Sequence, residues 1–173
     1  GIPEDDDAWD MQEACQSALA AHGFAQYEVS AYARDGAQCA HNLNYWRFGD
    51  YLGIGAGAHG KLTLPSENGI LRRWKLKHPQ AYMDAAASPA RIGGDEWLAP
   101  ERRPFDYMLN ALRLHEGFAL TDFTARTGLP RDAIAATLAD LAGKNFLSVD
   151  GEHVAPTELG QRFLNDVMGA FLA

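Results

Sequence analysis

An α+β fold in two parts is what this sequence predicts, on three observations. A helix leads into a strand near the start, turn-flanked hairpins follow, and helices of 3.6-residue periodicity fill the second half. Of the 173 residues 47% are hydrophobic and 22% charged, which supplies a core and excludes a disordered chain. That length suits one domain or two small ones, and residues 88–95, with Pro89, Gly93 and Gly94, read as a linker between residues 1–92 and 97–173.

Asp5, Asp6 and Asp7 supply an N-cap and a negative first turn for a helix over residues 8–21, which Gly23 ends. Residues 27–33 are rich in aromatic and β-branched types and read as one strand, the αβ half of a barrel or doubly wound unit; Asp35-Gly36 then turns the chain. Residues 61–64 and 69–75 flank the turn Pro65-Ser66-Glu67-Asn68-Gly69 and form a hairpin with Arg72, Arg73, Lys75 and Lys77 on its return side. Pro79 starts a short helix.

In the second half, Phe105, Met108, Leu109 and Leu112 recur at i, i+3, i+4 and i+7, giving a helix over residues 103–115. Thr121 is a candidate cap for a helix that stops at Gly128, and Pro130 opens another with Ile134, Leu138 and Leu141 on one face. The strands at 146–149 and 152–154 flank Asp150-Gly151, which suits a type I′ turn, and Thr157 caps a last helix through Phe163, Val167 and Phe171. Helix, helix-turn-helix, small β-wing and helix describe a winged-helix-like unit.

Fifteen Lys and Arg against 23 Asp and Glu give a net charge of -8, which argues against a general binder of nucleic acid or anionic membrane. Only residues 23–80 are net positive, with seven bases and four acids. A winged-helix DNA-binding module is the rival class, but residues 97–173 carry seven bases against ten acids and lack the clustered cations that phosphates need. No apolar run approaches a membrane span, and Cys15 and Cys39 can build neither a disulfide framework nor a four-thiolate cluster, so a soluble, cytoplasmic protein is expected. The start without Met, with a helix almost at once, reads as mid-protein sequence.

Residues 39–60 are unlike ordinary packing sequence. A polar cluster, His41-Asn42-Leu43-Asn44, precedes Tyr45-Trp46, and Gly53, Gly55, Gly57 and Gly60 follow. This run, with Gly23-Phe24 to Tyr32-Ala33-Arg34 before it and Leu52-Gly53-Ile54-Gly55-Ala56-Gly57-Ala58-His59-Gly60 after it, resembles the carboxy-terminal half of the HemN/HemW family of radical S-adenosylmethionine proteins. Residues 145–151 and 157–164 are similar to that family's C-terminal domain. His41 to Trp46 match HNxxYW, the form of the haem-chaperone branch. The resemblance implies the last strand and helix units of a partial TIM-type barrel, an HNxxYW loop and a hairpin, followed by a helical winged-helix-like domain.

By resemblance the function is haem binding and transfer to acceptor proteins. Oxygen-independent coproporphyrinogen III oxidase, a dehydrogenase of porphyrin biosynthesis, is the alternative. The CxxxCxxC loop that holds the family's [4Fe-4S] cluster is absent, so S-adenosylmethionine and the cluster belong to a full-length parent, and this chain alone is expected to be without catalysis.

Haem iron accepts imidazole, so His41 is the candidate ligand, with Asn42 or Asn44 orienting it and Tyr45 and Trp46 offering flat apolar faces. The competing reading has the same residues satisfying a tight loop beside two core aromatics. Cys39 is a second candidate ligand or an inert thiol. Resemblance places Gly55, Gly57 and His59 on the S-adenosylmethionine side, against the alternative of close strand packing. Arg72, Arg73, Lys75 and Lys77 either pair with haem propionates or form a solvated face.

Overall fold

The computed structural model describes residues 3–172; Gly1, Ile2 and Ala173, which fall within the expected domains 1–92 and 97–173, lie outside the described residues. Helix α1 (Asp5–Ala21) follows Glu4 with no side-chain cap, and Asp6 and Asp7 fall in its first turn, where negative charge suits a helix N-terminus. Gly23, at φ 80°, ends it as expected, its N–H bonded to the Ala20 carbonyl.

The single strand expected over residues 27–33 is instead a small antiparallel hairpin, β1 (Ala25–Glu28) and β2 (Ala31–Ala33). Glu28 makes the difference. Its buried Oε1 accepts hydrogen bonds from the Ser30 N–H and hydroxyl, each 3.0 Å, and folds the chain back at Val29. The HNxxYW loop is likewise corrected, to a helix α2 (Ala40–Trp46). Leu43 and Trp46 pack on the cluster of Tyr27, Ala33 and Leu114, and this tertiary contact overrides weak local helix preference.

Of the glycine run only Gly60 enters a strand. Tyr51 makes one bridge to Lys61 and residues 52–58 are irregular. A sheet of order β3-β4-β5 follows, from β3 (His59–Leu64), β4 (Gly69–Lys75) and β5 (Ile92–Trp97), with α3 (Pro79–Asp84) before its last strand. The expected linker therefore contributes a paired strand. Gly93 and Gly94 allow it: a Cβ on either would meet the Trp74 indole, at 2.9 and 2.3 Å, so the missing side chains let the backbone pass against that ring.

The second half comprises α4 (Arg103–Ala111), β6 (Phe118–Ala119), α5 (Leu120–Thr127), α6 (Asp132–Gly143), β7 (Leu147–Asp150), β8 (His153–Pro156), α7 (Glu158–Arg162) and α8 (Leu164–Gly169). Thr121 lies within α5 rather than capping it; Ala119 precedes the helix and Gly128, at φ 71°, ends it. Pairing of Asp150 with His153 leaves Gly151-Glu152 as the hairpin loop, with positive φ at Gly151 alone, so the I′ expectation is replaced by the pattern of a II′ turn. The Thr157 hydroxyl accepts from the Gly160 N–H at 3.0 Å, as a cap should, but the last helix breaks at Phe163, after which Val167 and Met168 turn into the core.

One core joins both halves. Phe48 and Ile70 pack with Tyr107, Met108, Phe123, Ile134 and Val154, and the Tyr107 ring meets Phe48, Phe118 and Phe123 edge-on at 5.2 to 5.5 Å. Buried Arg103 reinforces that junction by donating to the carbonyls of Leu98, Thr127 and Asn68 at 3.2, 2.9 and 3.0 Å. Among the described residues the strands form three small antiparallel sheets and no closed barrel.

Candidate functional site

Helical geometry divides the motif between two faces. His41 and Tyr45 are four residues apart on one face of α2, where the imidazole meets the Tyr45 ring edge-on, centroids 4.9 Å apart. Asn42 and Trp46 share the next face, and there the Arg113 guanidinium covers the indole at 4.3 Å from its centroid. His41 is exposed and Tyr45 half-buried. Asn44 serves the backbone, donating to the Asp50 carbonyl at 3.0 Å, while Gly49 leaves room for its amide: a Cβ there would sit 2.1 Å from Asn44 Oδ1. Buried Phe48 takes φ 53° at this corner, an uncommon value for a side chain of that size.

Tyr45 continues into a cleft. Its ring contacts Tyr51 at 4.5 Å, and both line a cavity of about 290 Å³ with His59, Gly60, Lys61, Arg72, Leu109 and others. Tyr45 and His59, assigned by resemblance to different ligands, thus border the same cavity. His59 lies near-parallel to Trp74 on the adjoining strand, centroids 6.2 Å apart. Gly55 and Gly57 stand away from it: the Gly55 N–H donates to the Tyr82 hydroxyl at 3.3 Å and the Gly57 N–H to the Leu76 carbonyl at 2.7 Å. Cys39 is exposed at the start of α2, its N–H bonded to the Tyr27 hydroxyl.

Below the cleft lies a charged network that sequence reasoning missed. Lys61 Nζ, almost wholly buried, donates to Asp50 Oδ1 at 2.9 Å and to the Phe48 carbonyl at 3.0 Å, and sits 4.2 Å from the Phe48 ring centroid. Burial holds the Lys61 amine below its ordinary value, opposed by Asp50. Burial pushes the Asp50 carboxyl up, but hydrogen bonds from the Thr63 N–H, Lys61 and the Thr63 hydroxyl outweigh it and leave the group below its ordinary value. Burial also raises the Tyr51 phenol, against the opposing charge of Arg72. The signal available in the sequence was an Asp and a Lys eleven residues apart, a spacing that implies nothing until the bridge between Tyr51 and Lys61 forms.

Among the four cations of the hairpin, Arg73 is held by both oxygens of Asp95, at 2.6 and 2.7 Å. Arg72 has a looser partner, Asp106 at 3.4 Å. As for an iron-sulfur cluster, Cys15 and Cys39 belong to separate regions, and no three His, Cys, Asp or Glu side chains come together among the described residues to hold a metal ion. These residues do not fit such a cluster. No helix among them is long and apolar enough to cross a membrane.

The chain is a mixed helical and stranded fold in which exposed His41 abuts half-buried Tyr45 on a short helix, and residues 98–163 match the HemN C-terminal domain family. Those residues carry a HemN C-terminal domain, and the chain as a whole is similar to members of the HemN/HemW family. It is similar to the heme chaperone HemW of Escherichia coli K12, 41% identical over 99% of this chain and 44% of that protein, and of Haemophilus influenzae, 40% identical over 99% and 43%. The heme chaperone HemW of Mycobacterium tuberculosis is 34% identical over 98% of the chain and 40% of its own length. The chain thus spans less than half the length of these relatives. Its fold also matches the coproporphyrinogen III oxidase HemN of Escherichia coli, a radical SAM enzyme, with TM-score 0.67 and 15% identity over 98% of this chain and 42% of that one. At that identity the likeness concerns fold alone.

Proposed function

We propose that this chain forms part of a cytoplasmic haem chaperone, in which His41 ligates haem iron on the open face of α2 and the bound haem passes to acceptor proteins. One observation carries the reading: His41 is exposed, and its ring abuts Tyr45, which leads into the aromatic cleft. An imidazole placed this way can reach iron while Tyr45 supplies a flat contact surface. The relatives named as heme chaperones support it over nearly the whole chain. Haem is the cargo in this proposal. S-adenosylmethionine and a cluster belong to residues beyond this chain, with Gly55, Gly57 and His59 adjoining them.

DNA binding gains no support from the helix that would enter a groove. Arg131 is bonded to Glu152, and Lys144 to Asp140 at 2.7 Å, so both cations flanking α6 are already paired.

Titration of haem into the chain tests the proposal. A Soret band that saturates at one equivalent is expected; His41→Ala should shift it and weaken binding tenfold or more, while His78→Ala, at an exposed position before α3, should bind as the parent does. Identical spectra and affinity for the parent and His41→Ala would refute the ligand assignment.

A further inference from the structure

The cleft beside α2 contains an arrangement that strand pairing alone does not favour. Lys61 on β3 and Arg72 on β4 lie directly opposite each other in the antiparallel register, a like-charge cross-strand pair. Such pairs cost stability, and departures of this kind concentrate where a protein binds something. Their counter-charges are distributed unevenly. Lys61 is satisfied from below by Asp50, Thr63 and the Phe48 carbonyl.

Arg72 is not satisfied in the same way. Its contact is a 3.4 Å approach of Nη2 to Asp106 Oδ1, too long for a strong charge-assisted hydrogen bond, and about a third of its side chain is exposed. Three neighbouring guanidiniums are engaged: Arg73 by Asp95, Arg102 by Glu96, Arg103 by three carbonyls. Arg72 also lines the cavity with Tyr45, Tyr51 and His59, so its free donors border three rings rather than an open surface.

We propose that Arg72 is the carboxylate-recognising residue of this cleft, which receives a planar aromatic ligand by one edge, its carboxylate on the Arg72 fork and its ring against Tyr45 and Tyr51. The cavity is small and open, with room for one edge of a macrocycle and its acidic substituent. Asp106 does not compete for the place. It is almost wholly buried, its Oδ2 has no hydrogen-bond partner among the described residues, and it holds the guanidinium from beneath. Guanidinium is suited to this task because its donors match both oxygens of a carboxylate in one plane, which an ammonium cannot do.

This inference rests on the haem reading for the identity of the ligand, but iron is irrelevant to it, and that separates the two. The probes are protoporphyrin IX, which has two free carboxylates and no iron, and its dimethyl ester, both titrated into the full 173-residue chain. The free acid is expected to bind, and the ester at least tenfold more weakly. Arg72→Lys, which retains a charge toward Asp106, should reduce the preference for acid over ester several-fold while far-UV circular dichroism stays unchanged. Equal binding of acid and ester by the parent chain would overturn the assignment whatever the fate of the variant. If haem binds through His41 yet acid and ester bind alike, only the Arg72 proposal falls; if acid outbinds ester but haem is insensitive to His41→Ala, only the ligand proposal falls. Failure of the parent to bind any of the three porphyrins would overturn both.

Discussion

The Arg113 guanidinium lies over the Trp46 indole, 4.3 Å from its centroid, and donates from Nη2 to Glu28 Oε2 at 3.1 Å. The contact ties α2 to the C-terminal end of α4 and to the β1 turn at once. Glu28 is 2% exposed, and its other oxygen is committed to Ser30. A buried carboxylate tolerates loss of its cation poorly.

Arg113→Ala should therefore destabilise the chain by about 2 kcal/mol, below the range for a fully buried pair because Arg113 is partly exposed. Arg113→Lys should recover part of this by keeping the charge but not the planar stack on Trp46. Urea unfolding followed by tryptophan fluorescence measures both; a stability equal to the parent's in the alanine variant would show that the triad contributes nothing.

A pH dependence follows from Asp50. Its folded-state value lies below the ordinary 3.8, so the unfolded chain binds this proton more tightly. The stability that Asp50 contributes is complete above about pH 3.8 and is lost as pH falls through the lower, folded value. Asp50→Asn should be less stable than the parent at pH 7, because Lys61 then lacks its counter-charge, and the difference should narrow below pH 3.8. Unfolding midpoints at pH 7, 5, 4 and 3 provide the check, and a gap that stays constant down to pH 3 would exclude Asp50 as its source.

How much of this was legible in the sequence depends on how local the determinant was. Gly23 and Gly128 stop helices through their own φ, Thr157 caps through its own hydroxyl, and each was readable in place. Residues 92–97 were not, because Gly93 and Gly94 look like linker glycines until Trp74 is packed against them. The close approach made by one of the glycines after Trp46 was equally hidden. Gly53 is needed because a Cβ there would lie 2.2 Å from the His59 carbonyl oxygen, a contact set by how the irregular segment between them folds back, which no spacing rule encodes.

The motif residues were found from sequence, but their arrangement was not. A loop would let His41, Asn42, Tyr45 and Trp46 all turn toward one ligand, whereas α2 separates His41 and Tyr45 from Trp46. This separation underlies the cation and aromatic contacts on both faces, and it is set by the packing of Leu43 and Trp46 on Tyr27, Ala33 and Leu114. The pairing of Tyr45 with Tyr51 and of Lys61 with Arg72 then depends on where the chain after α2 returns.

The two faces of α2 should respond differently to substitution. Trp46 Nε1 is buried without a hydrogen-bond partner among the described residues, so Trp46→Phe forfeits no hydrogen bond and keeps a ring beneath Arg113. Its cost should be about 1 kcal/mol of stability, from reduced area and a weaker cation–π contact, with the haem spectrum unchanged. On the other face, His41→Ala should alter the Soret band, and Tyr45→Ala should alter it less by freeing the imidazole edge that it now confines at 4.9 Å. In the proposed complex Tyr45 reaches iron only through His41 but also lies against the macrocycle, so adding Tyr45→Ala to His41→Ala should weaken binding further, while the shift of the Soret band should be less than the sum of the two single effects. Absorption spectra of the haem complexes of the four variants decide it. A shift in Trp46→Phe as large as that in His41→Ala would mean that both helix faces reach the ligand, contrary to the helical placement of the motif.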